Sequence, residues 1–395
     1  MGLQTPRGVK DFLPEEAIWK QQIEGRLRDV FMHWGYQEVV TPTFEFYDTL
    51  DLGETTTEQT YRFLGRDGEL LALRSDLTTP IARMVATRLK DLEKPLRLSY
   101  LANVFRYDEV QVGFQREFFQ AGVELIGSTQ PAADAEGIAL AVEAFKAMGV
   151  QNFCVDIGQV QYLQGIMEEC GCPTIMNQVR QVLIHQDFVG LKAILAQSNI
   201  DQDIKRILLD LPQLRGKADV FDRALALTHN DRAKQAVENL QSIYAVLEGY
   251  GVTDHIHIDF GMVKSLDYYT GMILEGYTPN LGSTLCSGGR YDNLSSKFGQ
   301  PLPAVGFALG LERLMLVLER QGLRPADQGE TYLVLPRHWP NALAHAQTLR
   351  QQGHRVEVDV QGLGVDEAVV YAKAKGISFV ILVEDTDEKT VYRQE

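Results

Sequence analysis

Apolar residues recur at helical spacing in the first long stretch of the chain. In EEAIWKQQIEGRLRDVFMHWGY, one face collects Ile18, Ile23, Leu27, Val30 and Phe31, which predicts an amphipathic helix. The segment that follows, YQEVVTPTFEFYD, is β-rich but contains a proline. Because proline cannot donate to a β-ladder, we expect this strand at a sheet edge or an interface.

The next two segments predict a strand–helix unit and a hairpin. A strand leads into a helix in DGELLALRSDLTTPIARMVATRL, where Asp76 or Thr78 can cap the helix and Pro80 fits its first turn. Two β segments flank a polar loop at 111–115 in PLRLSYLANVFRYDEVQVGFQREFFQAGVELIG, which predicts an antiparallel hairpin. A helix is then expected over 131–148, followed by a short strand, NFCVDIG.

A long helical region separates this part from further strands. Residues 160–250 are almost entirely helical in pattern, which predicts a helical insertion at about 165–250. Strands are expected in HIHIDFGMV, ILEGYTP and TLCSGGRYDNL, and a helix with a small-residue entry is expected in PAVGFALGLERLMLVLERQG. The pattern therefore predicts an α+β fold, in which a mainly antiparallel sheet carries flanking helices.

A boundary rich in Gly, Pro and charge, QGLRPADQGE, precedes the last part of the chain. It predicts a core domain at 1–325 and a small C-terminal α/β domain at 330–395. Strands and helices alternate β-α-β-α-β in that second domain, and the chain stops soon after the third strand. Its acidic segment FVILVEDTDEKT superficially resembles a phosphoribosyltransferase loop, but Glu384 and Asp385 fit a solvated turn better because no Gly-Thr cradle of backbone donors follows.

Composition excludes several classes of protein. The chain has 395 residues, of which 45% are hydrophobic and 23% charged, enough for two or three globular domains. No uncharged apolar run is long enough for a membrane helix, and no signal-peptide core is visible, so we expect a cytoplasmic protein without a membrane partner. The net charge is −15 with no evident basic patch, which disfavours nucleic-acid binding.

Cysteine and histidine offer no metal site in the sequence. Cys170 and Cys172 are closer together than the usual zinc spacing, and no second cysteine pair accompanies them. His255 and His257 alternate on one predicted strand, but no cysteine or carboxylate partner is apparent, so we interpret both as structural. We therefore predict neither a metal nor a cofactor.

Polar side chains with binding chemistry lie on the predicted hairpin and at the strand end before it. Gln120 and Glu124 are four residues apart on one strand and point to the same face. An amide and a carboxylate on one face can bind an ammonium group and an imidazole N–H, and Arg106 can fork onto a carboxylate or a phosphate. Asp76 and Thr78 occupy alternate positions after a strand.

Three later motifs extend this group. LDYYTG places Asp267, Tyr268 and Tyr269 before a glycine, and GGRYD places Arg290 and Tyr291 after two glycines, where a backbone can approach a ligand closely. In GFALGLERL, Arg313 falls near a helix start, which suits anions.

These motifs, in this order, resemble the core of class II aminoacyl-tRNA synthetases, specifically the histidyl branch. The resemblance runs from TPRGVKDFLP through TPTFE, FRYDE, LDYYTG and GGRYD to GFALGLERL and covers roughly residues 5–320. It implies a histidine-binding pocket in which Asp76, Thr78 and Gln120 hold the amino group. It further assigns the imidazole to Glu124 and Tyr269 beside Tyr268, pocket closure to Tyr291, the carboxylate to Arg106, and the ATP phosphates to Arg313.

The sequence departs from that pattern where a synthetase performs catalysis. Lys264-Ser265 stands where histidyl-tRNA synthetases have Arg-Gly, and a lysine lacks the planar fork of arginine. The loop DEVQVGFQRE keeps only Arg116 as a basic residue. LRSDLT replaces the common LRPEGT, and the C-terminal domain resembles the anticodon-binding domain of synthetases but is truncated and acidic. We interpret Lys264 and Arg313 as an anion-binding remnant.

The retained pocket and eroded catalytic parts resemble the regulatory subunits of ATP phosphoribosyltransferase. That resemblance implies a non-catalytic subunit that activates a short-form catalytic subunit in the first step of L-histidine biosynthesis and mediates feedback inhibition by histidine. It also implies a homodimer, through the TPTFE strand, within a larger hetero-oligomer. Two alternatives stay open: a working histidyl-tRNA synthetase, and a histidine-binding synthetase-like module with another partner.

Overall fold

The computed structural model describes residues 4–51, 60–107, 115–264, 268–279, 281–323, 329–385 and 387–394. They fall into two compact units, Met1–Arg324 and Pro325–Glu395, called here the N-terminal and C-terminal units. No helix in these ranges combines the length and apolar character needed to cross a membrane.

The described residues form sixteen strands and thirteen α-helices, joined by loops and turns. The strands are β1 (Gln37–Glu38), β2 (Phe44–Phe46), β3 (Arg62–Leu64), β4 (Leu70–Leu73), β5 (Leu96–Phe105), β6 (Glu117–Ile126), β7 (Cys154–Gln159), β8 (Arg215–Gly216), β9 (Ile256–Asp259), β10 (Met272–Tyr277), β11 (Cys286–Arg290), β12 (Ala304–Gly310), β13 (Thr331–Pro336), β14 (Arg355–Val358), β15 (Phe379–Val383) and β16 (Glu388–Arg393). The helices are α1 (Pro14–His33), α2 (Tyr47–Asp51), α3 (Thr78–Arg88), α4 (Pro131–Met148), α5 (Val160–Cys170), α6 (Pro173–Ile184), α7 (Phe188–Gln197), α8 (Gln202–Asp210), α9 (Asp219–Leu227), α10 (Asp231–Tyr250), α11 (Leu311–Arg320), α12 (Trp339–Gln351) and α13 (Val365–Lys375).

A nine-stranded sheet forms the centre of the N-terminal unit, in the order β1-β5-β6-β12-β11-β10-β7-β9-β8. Its pairs are antiparallel except for β1 with β5 and β7 with β9. The predicted α+β fold with a mainly antiparallel sheet is confirmed, as is the β5–β6 hairpin. The predicted proline interruption separates β1, at the edge of this sheet, from β2 in a small sheet of order β2-β4-β3.

One central strand was not predicted. Residues 304–310 were expected to be a small-residue entry to a helix, but they form β12, which pairs with β6 on one side and β11 on the other. The helix α11 begins only at Leu311. Small residues suit this strand because its neighbours bring large side chains close to its backbone, as Glu124 does opposite Gly306.

The predicted helices pack behind the sheet. Helix α1 buries Ile23, Leu27 and Phe31, and α4 spans the predicted 131–148 and ends at Gly149, whose φ of 77° favours glycine. At α3 the cap differs from the prediction, because the N-cap position is Leu77. The Asp76 carboxylate nevertheless accepts a hydrogen bond from the Thr79 amide at 3.0 Å.

Helices α5 to α10 occupy the stretch in which the helical insertion was predicted. Its apolar faces join the core that underlies the large sheet, and its short strand β8 pairs with β9 at the sheet edge. A second apolar cluster, with Leu77 and Ile81 from the start of α3, includes four tyrosines. That second cluster surrounds the cavity described below.

The C-terminal unit is a four-stranded sheet, β14-β13-β15-β16, with α12 and α13. The prediction of three strands was wrong: β16 pairs antiparallel with β15. Its sequence EKTVYR is mostly exposed and lacks a buried apolar face, so the hydrophobic pattern carried little signal for it. Glu384, whose amide donates to the Asp387 carbonyl at 2.8 Å, lies in the turn that joins β15 to β16.

Candidate functional site

A cavity of about 350 Å³ opens on one face of the large sheet. Strands β6, β10, β11 and β12 contribute to its lining, together with the start of α3, the end of β5 and the start of α11. The residues that the resemblance assigns to the histidine pocket line it, as do both residues of the anion-binding remnant: Asp76, Thr78, Arg106, Gln120, Glu124, Lys264, Tyr268, Tyr269, Tyr291 and Arg313. Such a volume lies at the small end of ligand pockets.

Glu124 is the most deeply buried acidic group of the cavity, with 1% of its surface exposed. The period of two along β6 places it on the same face as Gln120. Its Oε1 accepts a hydrogen bond from the Thr78 hydroxyl at 2.8 Å. Its Oε2 accepts a hydrogen bond from the Tyr291 hydroxyl. The carboxyl group is therefore held in a fixed orientation by two elements that are distant in sequence.

Burial dominates the electrostatics of Glu124. It raises the pKa of this carboxyl from 4.5 to about 8, although the hydrogen bonds from Tyr291 and Thr78 act in the opposite direction. The nearby Asp76 carboxylate adds to the rise in pKa. The Glu124 carboxyl consequently exchanges its proton close to neutral pH, where an imidazole also titrates.

Three tyrosines form an aromatic wall beside Glu124. The Tyr268 and Tyr269 ring centroids lie 4.6 Å apart at 49°, and Tyr268 meets Tyr291 edge-on at 5.9 Å. Burial raises the pKa of Tyr269 to about 12 and raises the pKa of both Tyr268 and Tyr291 well above 10. All three hydroxyls thus stay protonated and can donate hydrogen bonds.

Gln120 supplies a buried acceptor to the same cavity. Its Oε1 accepts no hydrogen bond from the residues that the structure describes. Asp76 also lines this region, with Oδ1 already bonded to the amide of Thr79. A buried amide oxygen without a donor is unfavourable, so a ligand with N–H groups would be stabilised beside it.

Three basic residues also line the cavity, and each is already engaged within the protein. The Arg106 Nε donates to the Ser75 carbonyl at 2.8 Å, and Arg313 donates to the Thr284 carbonyl at 2.9 Å. The Lys264 ammonium donates to the Glu275 carboxylate and, at 2.8 Å, to the Ser287 hydroxyl. Burial lowers the pKa of Lys264, while Glu275 acts to raise it.

The sequence did not indicate several lining residues, including Tyr100, Glu275, Ser287 and Glu312. Tyr100 lies opposite Gly122 in the hairpin, and an added Cβ at residue 122 would stand 2.4 Å from the Tyr100 hydroxyl. The glycine therefore makes room for the ring. That pairing depends on the hairpin register, which the hydrophobic pattern does not provide.

Arg290 differs from its expected position at a ligand. It forms a forked ion pair with Asp134, in which Nη2 lies 2.8 Å from Oδ2, and Nη1 donates to the Ser128 carbonyl at 2.9 Å. Arg290 does not line the cavity. Burial nevertheless raises the pKa of Asp134 to about 6. Asp267, Ser265 and most of the loop DEVQVGFQRE lie outside the described residues.

His257 also departs from its prediction. It was expected to have no cysteine or carboxylate partner, but Cys154 and Asp156 lie beside it. The two partners precede it by about a hundred residues, so only the parallel pairing of β7 with β9 brings them together.

The fold and the cavity together define a protein of the histidyl type of class II aminoacyl-tRNA synthetase. A family model described as histidyl-tRNA synthetase matches residues 8–314. The crystal structure of histidyl-tRNA synthetase from Nostoc sp. PCC 7120 aligns over 99% of this chain and 97% of its own, with a TM-score of 0.84. Its identity to this chain is 23%, so it shows the fold alone.

Relatives of higher identity point to one branch of that class. The regulatory subunit of ATP phosphoribosyltransferase from Acetivibrio thermocellus is 43% identical over the whole of this chain and 95% of its own length. The one from Desulforamulus reducens is 42% identical over 95% and 94%. A crystal structure titled ATP phosphoribosyltransferase regulatory subunit/histidyl-tRNA synthetase, from Bacillus halodurans, is 34% identical, with a TM-score of 0.88 over 98% and 100%. The chain belongs to the family of ATP phosphoribosyltransferase regulatory subunits.

Proposed function

We propose that this chain is a non-catalytic subunit that activates a short-form ATP phosphoribosyltransferase catalytic subunit in the first step of L-histidine biosynthesis. Histidine bound in the cavity then acts as the feedback inhibitor. The observation that carries the proposal is the Glu124 carboxyl, buried in a histidyl-type cavity and held by Thr78 and Tyr291. We place the complex in the cytoplasm.

Histidine fits the cavity by the chemistry of its lining. Gln120 Oε1 and the Asp76 carboxylate offer acceptors for the ammonium group, and Thr78 stands beside them. Glu124 and Tyr269 would take the imidazole, with Tyr268 and Tyr291 enclosing it. The Arg106 guanidinium would take the carboxylate, since arginine binds carboxylates in a fork.

The contacts of Lys264 support the proposed lack of catalysis. This ammonium group is held by Glu275 and Ser287, so its charge is already compensated within the protein. A synthetase needs a positive charge that stabilises the transition state of attack on a phosphate. Together with Arg313, we treat Lys264 as a remnant anion site, and we propose no cofactor and no metal for the regulatory function.

The proposed effector mechanism requires two states of the complex. Histidine can shift an equilibrium only by binding one state more tightly than the other. We propose that the cavity closes around histidine in a state that holds the catalytic partner inactive. Nucleic acid is not proposed as a partner, because the chain carries a net charge of −15.

We propose a homodimer within the complex, through the small β2-β4-β3 sheet, whose strand β2 includes Phe44 and Glu45 of the TPTFE motif. Its outer residues include Phe44, Phe46 and Leu64, which are 51%, 53% and 72% exposed. An exposed apolar group of this kind is typical of an interface. Light scattering of the isolated chain at micromolar concentration should give a dimer mass, and a monomer would contradict this assignment.

Reconstitution tests the function directly. A short-form catalytic subunit is assayed for phosphoribosyl-ATP formation alone, with this chain, and with this chain plus histidine. We expect activation that histidine reverses. In a parallel assay, Glu124→Gln should relieve histidine inhibition, while Glu143→Gln, an exposed glutamate on α4, should not.

Three results would redirect the assignment. Unchanged histidine inhibition in the Glu124→Gln complex would remove the cavity as the sensor but leave the activator role standing. Absence of activation, combined with histidine-dependent ATP–pyrophosphate exchange by the chain alone, would favour a working histidyl-tRNA synthetase. Histidine binding without either activity would favour a synthetase-like module with another partner.

A further inference from the structure

Three side chains with metal-binding atoms meet at one end of the large sheet. Cys154 and Asp156 alternate along β7 and so point to the same face, and Asp156 pairs directly with His257 on the neighbouring parallel strand β9. One ligand atom from each of the three lies within 4.8 Å of the others. The Nδ1 of His257 lies 3.4 Å from the Asp156 Oδ1.

Asp156 carries an unsatisfied oxygen at the centre of this group. Its side chain is only 3% exposed. The Oδ2 atom accepts a hydrogen bond from Arg215, but Oδ1 accepts none from the part of the chain that the structure describes. A buried carboxylate oxygen without a donor is costly, and a cation would satisfy it.

The surrounding charges restrict which cation fits. Arg215 lies on the Oδ2 side, and its Nε is 3.8 Å from Asp259. The Lys217 ammonium is engaged with the carbonyls of Thr253, Asp254 and Ile256. These positive groups oppose a hard cation held by charge alone. A thiol, an imidazole and a carboxylate instead suit a thiophilic ion of the zinc class.

We propose that Cys154, Asp156 and His257 form a zinc-class metal site, which is separate from the proposed regulatory function. Ligand atoms around tetrahedral zinc are roughly 3.5 Å apart, so the Asp156–His257 distance already fits. The Cys154 sulfur closes the remaining gap by side-chain rotation, and its thiol proton leaves to solvent as the metal–sulfur bond forms. Water takes the fourth position, since the His257 side chain is 37% exposed.

The site adjoins the cavity through the sheet. Across β11, β10, β7 and β9, register aligns Ser287, Glu275, Asp156 and His257 in one row. The first two of these residues hold the Lys264 ammonium. A bound divalent ion would therefore stand one strand away from the Lys264–Glu275 pair.

Cobalt titration of the full chain tests the proposal, because a thiolate–cobalt bond gives a charge-transfer absorption band. The experiment uses the Cys170→Ser/Cys172→Ser variant, which removes the other half-buried thiol pair. We expect one cobalt ion per chain with this band. Adding Cys154→Ser should abolish the band, and adding His257→Gln should weaken binding at least ~10-fold.

The matched control is His229→Gln, which alters an exposed histidine outside the cluster and should leave cobalt affinity unchanged. Zinc should displace cobalt and bleach the band. A band that survives Cys154→Ser, or no cobalt binding by the Cys170→Ser/Cys172→Ser chain, would overturn the site. Circular dichroism of each variant distinguishes a lost ligand from a lost fold.

Discussion

Glu124 and Gly306 lie directly opposite each other on the adjacent strands β6 and β12. A Cβ atom added at residue 306 would stand 1.8 Å from the Glu124 Oε2 and 2.4 Å from the Val123 carbonyl. The carboxyl group therefore occupies space that any other residue at 306 would fill. The absence of one side chain on β12 permits the buried acid on β6.

The first prediction concerns this contact. Gly306→Ala should displace the Glu124 carboxyl and weaken histidine binding at least ~10-fold, and overpacking should cost about 1–3 kcal/mol of stability. Calorimetric titration and denaturant unfolding measure the two effects. Gly25→Ala is the control: it lies inside α1 with nothing within 4 Å of an added Cβ, so it should stabilise by about 0.5–1 kcal/mol. Normal histidine affinity in Gly306→Ala would contradict the assigned pocket.

The raised pKa of Glu124 predicts a pH-dependent cost to stability. Between pH 4.5 and about 8 the unfolded chain has lost this proton while the folded chain retains it, so stability falls as pH rises through that window. The total loss of stability above pH 8 is on the order of 5 kcal/mol. Glu124→Gln removes this term, so its stability relative to wild type should rise from pH 5 to pH 8. Urea unfolding of both proteins at pH 5 and pH 8 measures this change. If the difference in their free energies of unfolding is the same at both pH values, the pKa of Glu124 is not raised.

Histidine affinity should itself depend on pH. If the bound imidazole and Glu124 share one proton, binding is strongest between the imidazole pKa of about 6.5 and the Glu124 pKa of about 8. Below that range both the imidazole and the Glu124 carboxyl carry a proton, so one proton must be released when the complex forms. Above that range the carboxyl has lost its proton, so none is left to share. Titrations from pH 5.5 to 9 should show a maximum, and Glu124→Gln should flatten the alkaline side. If histidine affinity falls equally steeply at alkaline pH in the wild type and in Glu124→Gln, the Glu124 proton is not shared with the ligand.

The Lys264–Glu275 pair should behave as a coupled unit. Its side chains are 11% and 19% exposed, and removing one partner leaves the other charge buried, at a cost of about 3–5 kcal/mol. Lys264→Met and Glu275→Leu should each destabilise strongly, while the double variant should be more stable than the sum of their effects implies. A double-mutant cycle by urea unfolding measures the coupling, and additive effects would show independent groups.

Arg290 should matter for stability rather than for histidine binding. Arg290→Lys retains the charge but loses the fork onto Asp134, so we expect a loss of about 1–3 kcal/mol. Histidine affinity should stay within about threefold, because Arg290 does not line the cavity. Arg223→Lys, at a 48% exposed side chain, serves as the neutral control. If Arg290→Lys loses histidine affinity without losing stability, Arg290 contacts the ligand after all.

Local periodicity predicted the elements whose buried face is formed by residues close together in the sequence. The helix over 131–148 and the β5–β6 hairpin appear in the structure as expected. The helical period of α1 and the period of two on β6 each follow from side-chain geometry within one element. The pocket was predicted from the order of the motifs, because their resemblance to the histidyl branch groups Asp76, Glu124 and Tyr291 without any distance between them.

Elements whose identity depends on long-range partners were missed. β12, with the sequence AVGFALG, has a small residue at every second position, and only its pairing with β6 and β11 makes it a strand. β16 is exposed and polar, and only its ladder with β15 makes it a strand. The Cys154–Asp156–His257 group was missed for the same reason, since a parallel pairing joins segments separated by the whole helical insertion.

By itself, the sequence determined the α+β class and the main helices, because those depend on spacing along the chain, while the pocket residues followed from the resemblance of its motifs. Only the tertiary structure determined the pKa values and the ion-pair partners of the charged side chains. Burial moves the pKa of Glu124 to about 8, Glu275 compensates Lys264, and Asp134 takes Arg290 away from the cavity. Desolvation, ion pairing and hydrogen bonding act through space, as between Glu124 and Tyr291, which are 167 positions apart, so no local pattern encodes them.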